Sequence, residues 1–147
     1  MLQKLVVVCF LALFFSVPTE IYACRCKIPS TTWAYKRAEM VLIVKVTKVE
    51  KLDEDAQAVE VTASEAWKQN APTTLKILAG GKVCGYFFEE GKDYIVYLKR
   101  NGSGEWTTAN CVGNKVIDDP QFPLFTEMAR QDKIWLKKNG KKSKLEK

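Results

Sequence analysis

A small, mainly β barrel is the fold that this sequence predicts, and the spacing of its apolar segments indicates it. Residues 40–49 and 59–67 are rich in β-branched side chains and become alternately apolar and polar, which is typical of strands. Residues 73–78 show a shorter strand pattern, and 93–99 and 105–111 flank a glycine-rich turn, as in a β-hairpin. Five or so short strands followed by a helix are typical of a small Greek-key barrel of the OB type.

Two helices are expected to flank these strands, and a further short strand is expected at 86–88. Residues 30–32 offer N-cap side chains for a short helix that reaches Ala38. A longer C-terminal helix is predicted over 122–138, where Pro123 suits the first turn. Its apolar side chains fall roughly on one stripe, which we expect to pack against the sheet. The residues of this stripe are Leu124, Phe125, Met128, Ile134 and Trp135.

Residues 1–23 have the layout of a secretory signal peptide. Lys4 supplies a positive start, 5–15 is an apolar run that is short for a membrane span, and Ala23 is a small residue before the expected cut. Two alternatives stay open at this boundary: an uncleaved membrane anchor, and a bacterial lipoprotein acylated on Cys24. Cleavage after Ala23 predicts a protein secreted to the extracellular space or the periplasm.

The mature chain divides into one domain, 24–138, and a short basic tail, 139–147. The net charge of the protein is +6, and the C-terminal lysines, offset only by Glu146, account for all of it. These lysines are Lys133, Lys137, Lys138, Lys141, Lys142, Lys144 and Lys147. Such a run is typical of a solvated end, so we expect the tail to be disordered. A weak contact with polyanions or with an anionic membrane surface is the alternative role for it.

Histidine is absent from the sequence, which removes the commonest general base and the commonest metal ligand. No phosphate-binding loop and no HExxH zinc motif occurs either. The adjacent carboxylates Glu89-Glu90 and Asp118-Asp119 lie in or beside expected turns, and we interpret both pairs as solvated surface. The sequence therefore predicts a protein that is not an enzyme and that holds no cofactor.

Four cysteines remain once the leader, which carries Cys9, is removed: Cys24, Cys26, Cys84 and Cys111. An even number in an exported chain predicts two disulfides. Four cysteines allow three pairings, and a bond between Cys24 and Cys26 would close a very small strained ring, so we expect each to reach a distant segment. A zinc site with four thiolates is the alternative, although structural zinc sites typically have a C-x₂₋₄-C spacing.

The position of Cys24 at the start of the mature chain gives it a chemistry that an internal residue lacks. Its free α-amine and its carbonyl would lie side by side, and a disulfide from its own side chain would hold them in place. An amine and a carbonyl on one fixed residue make a bidentate metal chelate. The sequence therefore suggests a protein that blocks the metal site of another protein.

The chain resembles the N-terminal, netrin-like domain of tissue inhibitors of metalloproteinases. Three segments carry the resemblance: the Cys24-Arg25-Cys26 start, the first strand at 39–46, and the segment 83–87, which begins Val-Cys-Gly and is followed by a hairpin ending at Cys111. The similarity covers most of the mature chain. The family's third disulfide in this domain and its cysteine-rich second domain have no counterpart in the sequence.

The resemblance implies a monomeric, secreted inhibitor whose partner is a zinc metalloprotease. It also implies the disulfides Cys24–Cys84 and Cys26–Cys111. In that family the N-terminal amine and carbonyl bind the enzyme's zinc, and the next side chain, here Arg25, enters the substrate pocket. A long cation suits a pocket with an acidic lining, so Arg25 would set specificity. The residues implied to contact the protease are Cys24, Arg25, Cys26, Val83 and Gly85.

A non-inhibitory netrin-like binding module is the alternative function. Such a module would use the barrel surface and the lysine tail to hold matrix, envelope or polyanionic partners. It would not need a free amine on Cys24, so the chemical state of that amine distinguishes the two functions.

Overall fold

Nine strands and two α-helices make up the part of the chain that the computed structural model describes, which is residues 26–80 and 86–147. In chain order they are α1 (Thr31–Arg37), β1 (Met40–Lys51), β2 (Ala56–Trp67), β3 (Ala71–Pro72), β4 (Thr74–Gly80), β5 (Asp93–Arg100), β6 (Trp106–Thr108), β7 (Lys115–Ile117), α2 (Pro123–Asn139), β8 (Lys142–Ser143) and β9 (Leu145–Glu146). A single 3₁₀ turn, Asn110–Val112, lies between β6 and β7.

Five of these strands close into a barrel. β1 pairs with β2 and with β5, β2 pairs with β4, and β6 closes the circle between β4 and β5. All of these pairings are antiparallel except that of β4 with β6, which is parallel. The protein is therefore mainly β, with an OB-fold-like barrel and a C-terminal helix, and the predicted fold class is confirmed.

The first strand is buried on both faces, which explains its nearly continuous apolar sequence. Met40, Leu42 and Val44 point into the barrel, where they join the interior apolar cluster. Val41 and Ile43 point the other way and pack beneath the two helices. Shifts of register against β2 at two places along β1 show the bulges that allow one strand to bend around a closed barrel.

The short first helix begins where the sequence predicted. The Oγ of Ser30 accepts a hydrogen bond from the backbone N–H of Trp33 at 3.3 Å, which satisfies one of the free donors of the first turn. Ala34 and Ala38 are buried against the barrel. Small residues at these two positions let the helix axis approach the strands closely.

The prediction that an apolar stripe on α2 packs against the sheet is largely wrong. The buried residues of α2 are Ala129, Asp132 and Leu136. Leu124 is 67% exposed and Ile134 is 48% exposed, Phe125 is also exposed, and only Met128 and Trp135 are partly buried. The helix buries Ala129 because it lies close to the barrel, and it buries Asp132 because the contact contains the buried Lys115. The positions of apolar residues along the sequence indicate neither feature.

Two smaller expectations near the hairpin also differ from the structure. Residues 86–88 form no strand, because the backbone N–H of Phe88 is bonded to the side chain of Gln57 at 2.9 Å. The second strand of the hairpin is short, since the chain leaves β6 after Thr108 and enters the 3₁₀ turn that contains Cys111. In the described residues no helix is long and apolar enough to cross a membrane.

The basic tail is ordered, which corrects the expectation that 139–147 is disordered. β8 pairs with the end of β2, and β9 runs parallel to β3. The backbone N–H of Lys68 donates to the carbonyl of Lys141 at 2.8 Å, and that of Thr73 donates to the carbonyl of Glu146 at 2.8 Å. Leu145 packs against the interior cluster. Ser143 and Leu145 are half-buried, while Lys142, Lys144 and Glu146 are exposed, a period-two pattern that is typical of a strand and that the many lysines made hard to recognise.

Removal of residues 141–147 should lower the free energy of unfolding by about 2–3 kcal/mol, because backbone pairing and the contact of Leu145 would both be lost. Urea unfolding followed by circular dichroism measures this change. As a control for charge, glutamine at Lys141, Lys144 and Lys147 in the full-length protein should change stability by less than about 0.5 kcal/mol, because none of these lysines makes an ion pair with the described residues. Equal stability of the truncated and full-length proteins would contradict the strand assignment.

Candidate functional site

A disulfide joins the start of the described chain to the segment after the hairpin. Cys26 and Cys111 are bonded, with their Cα atoms 5.3 Å apart and a sequence separation of 85. Closing a loop of this length stabilises the fold by about 4–5 kcal/mol in the chain-entropy model. The predicted pairing of these two cysteines is confirmed, and a disulfide is compatible with an extracellular location.

The other predicted site residues lie outside the described residues. They are Cys24, Arg25, Val83, Cys84 and Gly85. The pairing of Cys24 with Cys84 therefore stays a prediction. The described residues that border them are Cys26 on one side and Gly80 and Tyr86 on the other. Cys26 and Tyr86 line one groove, and they mark the edge of the barrel at which the predicted site would lie.

A buried asparagine, Asn114, fixes the turn that carries Cys111. The Oδ1 of Asn114 accepts a hydrogen bond from the backbone N–H of Tyr97 at 2.9 Å. Its Nδ2 donates to the Oγ1 of Thr108 at 2.7 Å and to the carbonyl of Ala109 at 3.1 Å. The amide thus ties the residues before and after the 3₁₀ turn to the central strand β5, so the sulfur of Cys111 starts from a fixed backbone.

Gly113 brings the first helix directly onto this turn. Its φ angle is 110°, a conformation that favours glycine. A Cβ atom at this position would lie 2.8 Å from the Cβ of Ala34 and 3.4 Å from the Cγ of Pro29. The chain on the Cys26 side of the disulfide therefore packs against the chain on the Cys111 side without any intervening side chain.

A buried ionic network fastens both helices to the barrel behind this edge. The Nζ of Lys115 lies 2.6 Å from the Oδ2 of Asp132, and both side chains are almost completely buried. The hydroxyl of Tyr97 donates to the same oxygen at 2.9 Å, and the hydroxyl of Thr31 donates to the Oδ1 atom. Lys115 also donates to the carbonyl of Gly113 at 3.0 Å. One carboxylate thus connects α1, β5, β7 and α2.

The pKa of the Tyr97 hydroxyl is raised above its ordinary value. Burial is the main cause, and the neighbouring carboxylate of Asp132 adds to it by repelling a phenolate and by accepting the phenol's hydrogen bond. The network therefore depends on Tyr97 remaining protonated.

A groove of about 420 Å³ lies beside Cys26 and is mostly apolar. Its lining includes Ile28 and Pro29, which follow Cys26, together with Phe122, the residue before α2, and Phe125 in the first turn of that helix. Both phenylalanines and Ile28 are exposed, and the two rings meet edge to face with their centroids 6.1 Å apart. Exposed apolar side chains grouped around a groove are typical of surfaces that bind other molecules.

The segment that begins at Tyr86 is held by edge-to-face contacts between aromatic rings. The ring of Phe88 packs edge to face against those of Tyr86 and Tyr94, with both centroid distances at 4.8 Å. Burial raises the pKa of Tyr86, with smaller contributions from Tyr94 and Glu89. Phe87, between the buried rings, is exposed and adds an apolar side chain on this part of the surface.

Asp119 is not the solvated surface residue that the sequence suggested. Its side chain is buried, and its Oδ2 lies 2.9 Å from the Nζ of Lys92, which also contacts Glu89. Hydrogen bonds from Lys92 and from the backbone N–H of Gln121 hold the pKa of Asp119 below its usual range. The carboxylate fixes the turn before α2, so its role is structural. Asp118 beside it is exposed, as expected.

The described residues contain no group of three or more histidine, cysteine, aspartate or glutamate side chains that could hold a metal ion. The described part of the edge offers instead a rigid backbone and exposed apolar side chains around Cys26. Such a surface can bury itself against another protein and can hold a neighbouring chain end in one position.

Comparison of the chain with protein-family models finds no match. No curated protein matches it at a significant level.

Sequence reasoning missed Lys115 and Asp132, which are separated by 17 positions and belong to different elements. The only signal was negative: Asp132 interrupts the inward face of a helix between Ala129 and Leu136. A charged residue on such a face indicates a buried partner, because an unpaired charge is rarely buried.

Replacement of Lys115 by methionine should lower the free energy of unfolding by about 3–5 kcal/mol, because it leaves a buried carboxylate without its cation. The double variant K115M/D132L should recover much of this loss, since the uncompensated charge is gone. Urea unfolding of the wild type, both single variants and the double variant gives the coupling free energy. K48M is the exposed control, and its cost should stay below about 1 kcal/mol. A cost of K115M as small as that of K48M would contradict the role of the pair.

The stability of the protein should fall as the pH rises above about 10. The pKa of Tyr97 is higher in the folded protein than in the unfolded chain, so its contribution is complete below the unfolded pKa and is lost as the pH rises toward the folded one. The slope for one such group is about 1.4 kcal/mol per pH unit. Urea unfolding at pH 9 to 11.5 measures it, and Y97F should show a shallower slope by that amount. An unchanged slope in Y97F would contradict the assignment.

Proposed function

We propose that the protein is a secreted inhibitor of zinc metalloproteases that acts through the N-terminal amine and carbonyl of Cys24. The observation that carries this proposal is the disulfide between Cys26 and Cys111, which fixes the chain two residues after the expected mature N-terminus. A chain end that starts from such an anchor has little freedom. The proposed role is binding to an enzyme, not catalysis.

Zinc proteases keep one coordination position of the metal open for water. The amine and carbonyl of Cys24 would displace that water and close a five-membered chelate ring on the zinc. The amine must be neutral to bind, and its reference pKa is about 8, so zinc binding is coupled to release of a proton. Inhibition would therefore weaken as the pH falls below neutrality.

The residues around the disulfide suit a protein interface. Ile28, Phe87, Phe122 and Phe125 are exposed and apolar, and the first, third and fourth line the groove beside Cys26. In the proposed complex this surface would cover the rim of the protease cleft. Arg25 would enter the substrate pocket and favour one with an acidic lining.

Rigidity of the edge would serve affinity. Binding costs less entropy when the contacting segment is already fixed. Asn114 and Gly113 fix the chain at Cys111, and the α1 helix fixes the chain that follows Cys26. The second predicted disulfide, Cys24–Cys84, would fix the chelating residue itself, with Val83 and Gly85 forming a second contact segment beside it.

A non-inhibitory binding module for matrix, envelope or polyanionic partners is the second candidate, and the ordered tail favours it. Lys141, Lys142 and Lys144 are exposed on a segment held by strand pairing, so the backbone that carries these lysines has a fixed position. A fixed cationic surface binds a polyanion at a lower entropic cost than a flexible tail does. This function would not require the amine of Cys24.

One added alanine before Cys24, or acetylation of the amine, should abolish inhibition of zinc proteases without unfolding the protein. The addition removes the free amine and places bulk where the zinc must approach. The matched control carries one alanine after Lys147 and should inhibit as the wild type does. R25T should keep inhibition but shift it toward proteases with apolar pockets.

Residual activity across a panel of zinc proteases is the measurement, with circular dichroism as the control for folding. Full inhibition by the protein extended before Cys24 would refute the chelation mechanism. Absence of inhibition by the unmodified protein across the panel would favour the binding module.

A further inference from the structure

We infer a second binding site, for a small organic anion with a flat apolar body, in a cavity between α1 and the β5–β6 hairpin. The cavity has a volume of about 260 Å³. It is lined by residues different from those of the groove beside Cys26. The two residues whose change tests this site, Arg37 and Lys99, line the cavity and are not among the predicted protease-contacting residues, so the site can be tested separately from protease inhibition.

The floor of the cavity is rigid. Ala34 of α1 and Ala38, which caps the end of that helix, line the cavity and are buried. Tyr97 and Thr108 form another part of its wall, and the hydroxyl of Thr108 donates to the carbonyl of Tyr97 at 3.0 Å. The same hydroxyl accepts a hydrogen bond from Asn114 at 2.7 Å. These bonds hold the wall in one shape, so a ligand would meet a preformed surface.

Two cationic side chains, Arg37 and Lys99, line the cavity. Arg37 lies in the last turn of α1, and Lys99 lies on β5. Neither takes part in an ion pair with the described residues, and none of the residues lining the cavity is acidic. Charge complementarity therefore favours an anion between them.

The positive potential in this region also acts on a third cation. Lys68 donates to the carbonyl of Tyr35 at 2.9 Å and to that of Ala38, at the end of α1. Its pKa is lowered chiefly by burial, and the charge of Lys99 lowers it further, while Glu39 opposes both effects. The carboxylate of Glu39 accepts a hydrogen bond from the backbone N–H of Arg100, so it is engaged on the strand beside the cavity.

The remaining lining selects an apolar, planar ligand body. Trp33 is 43% exposed, lines the cavity, and carries the guanidinium of Arg37 at 4.6 Å from its ring centroid. Ala109 and Val112 add further apolar surface. An indole next to an arginine and a lysine suits an aromatic ligand that bears a carboxylate. The ligand ring can pack on the indole of Trp33, while its carboxylate reaches Arg37 and Lys99.

The size of the cavity limits the ligand. Pockets for drug-sized molecules start at about 300 Å³, so this one suits a ligand of about two fused rings. 2-Naphthoate, with about 13 non-hydrogen atoms, is a suitable probe, and 2-naphthalenemethanol is its uncharged analogue. At ordinary ligand efficiency the naphthoate should bind with a Kd of about 1 mM or tighter.

Titration of the full mature protein with 2-naphthoate, followed by amide chemical shifts, tests the site. We expect shifts centred on Thr107, Thr108 and Ala109, and binding of the uncharged analogue weaker by about tenfold. R37Q and K99Q should each weaken naphthoate binding about fivefold or more. K48Q is the matched control, because Lys48 is an exposed strand lysine that does not line the cavity, and its affinity should equal that of the wild type.

Three results would overturn the inference. They are equal affinity for the charged and uncharged probes, shifts centred on residues away from the cavity, and equal affinities of R37Q, K99Q and K48Q. Protease inhibition should be the same in R37Q and K99Q as in the wild type. A negative result for the anion site would thus not bear on the proposed inhibition. A negative result for inhibition would not bear on the anion site.

Discussion

Asp132 is the residue on which the arrangement of the helices and the barrel depends. Its carboxylate receives Lys115, Tyr97 and Thr31 in a buried site, and these residues belong to β7, β5 and α1. A buried charge with three donors tolerates few alternative arrangements, because each donor that moves away leaves polar atoms unsatisfied. The network therefore specifies how α1 and α2 sit on the barrel, while the interior apolar cluster supplies most of the stabilisation.

The same network positions the edge at which we place the function. Lys115 donates to the carbonyl of Gly113, and Gly113 allows α1 to lie against the turn after Cys111. The disulfide then carries this rigidity to Cys26. The first residues of a protein chain are usually poorly ordered. Here we expect the chain end to begin beside Cys26, which is held by the disulfide on one side and by α1 on the other. A backbone chelate needs such a fixed starting point.

The barrel could be predicted from the sequence because its first two strands are long and rich in β-branched residues, as at Val59 and Val61 in β2. The pairing of Cys26 with Cys111 came from the family resemblance, since residue spacing alone left two long-range pairings open. The sequence could not predict which face of α2 is buried or that the tail forms strands, and the reason is the same in both cases. Ala129, Asp132 and Leu145 are placed by tertiary contacts, and neither hydrophobicity nor charge counted along the chain registers such contacts.

The state of the first residue of the mature protein tests the central claim most directly. Intact mass and N-terminal sequencing of the protein secreted from its own leader would report it. The account predicts a chain that begins at Cys24 with a free amine and has a mass lower by four hydrogens than the reduced form, as two disulfides require. A retained leader, an acyl group on Cys24 or a blocked amine would contradict the account, since none of these leaves the chelate available.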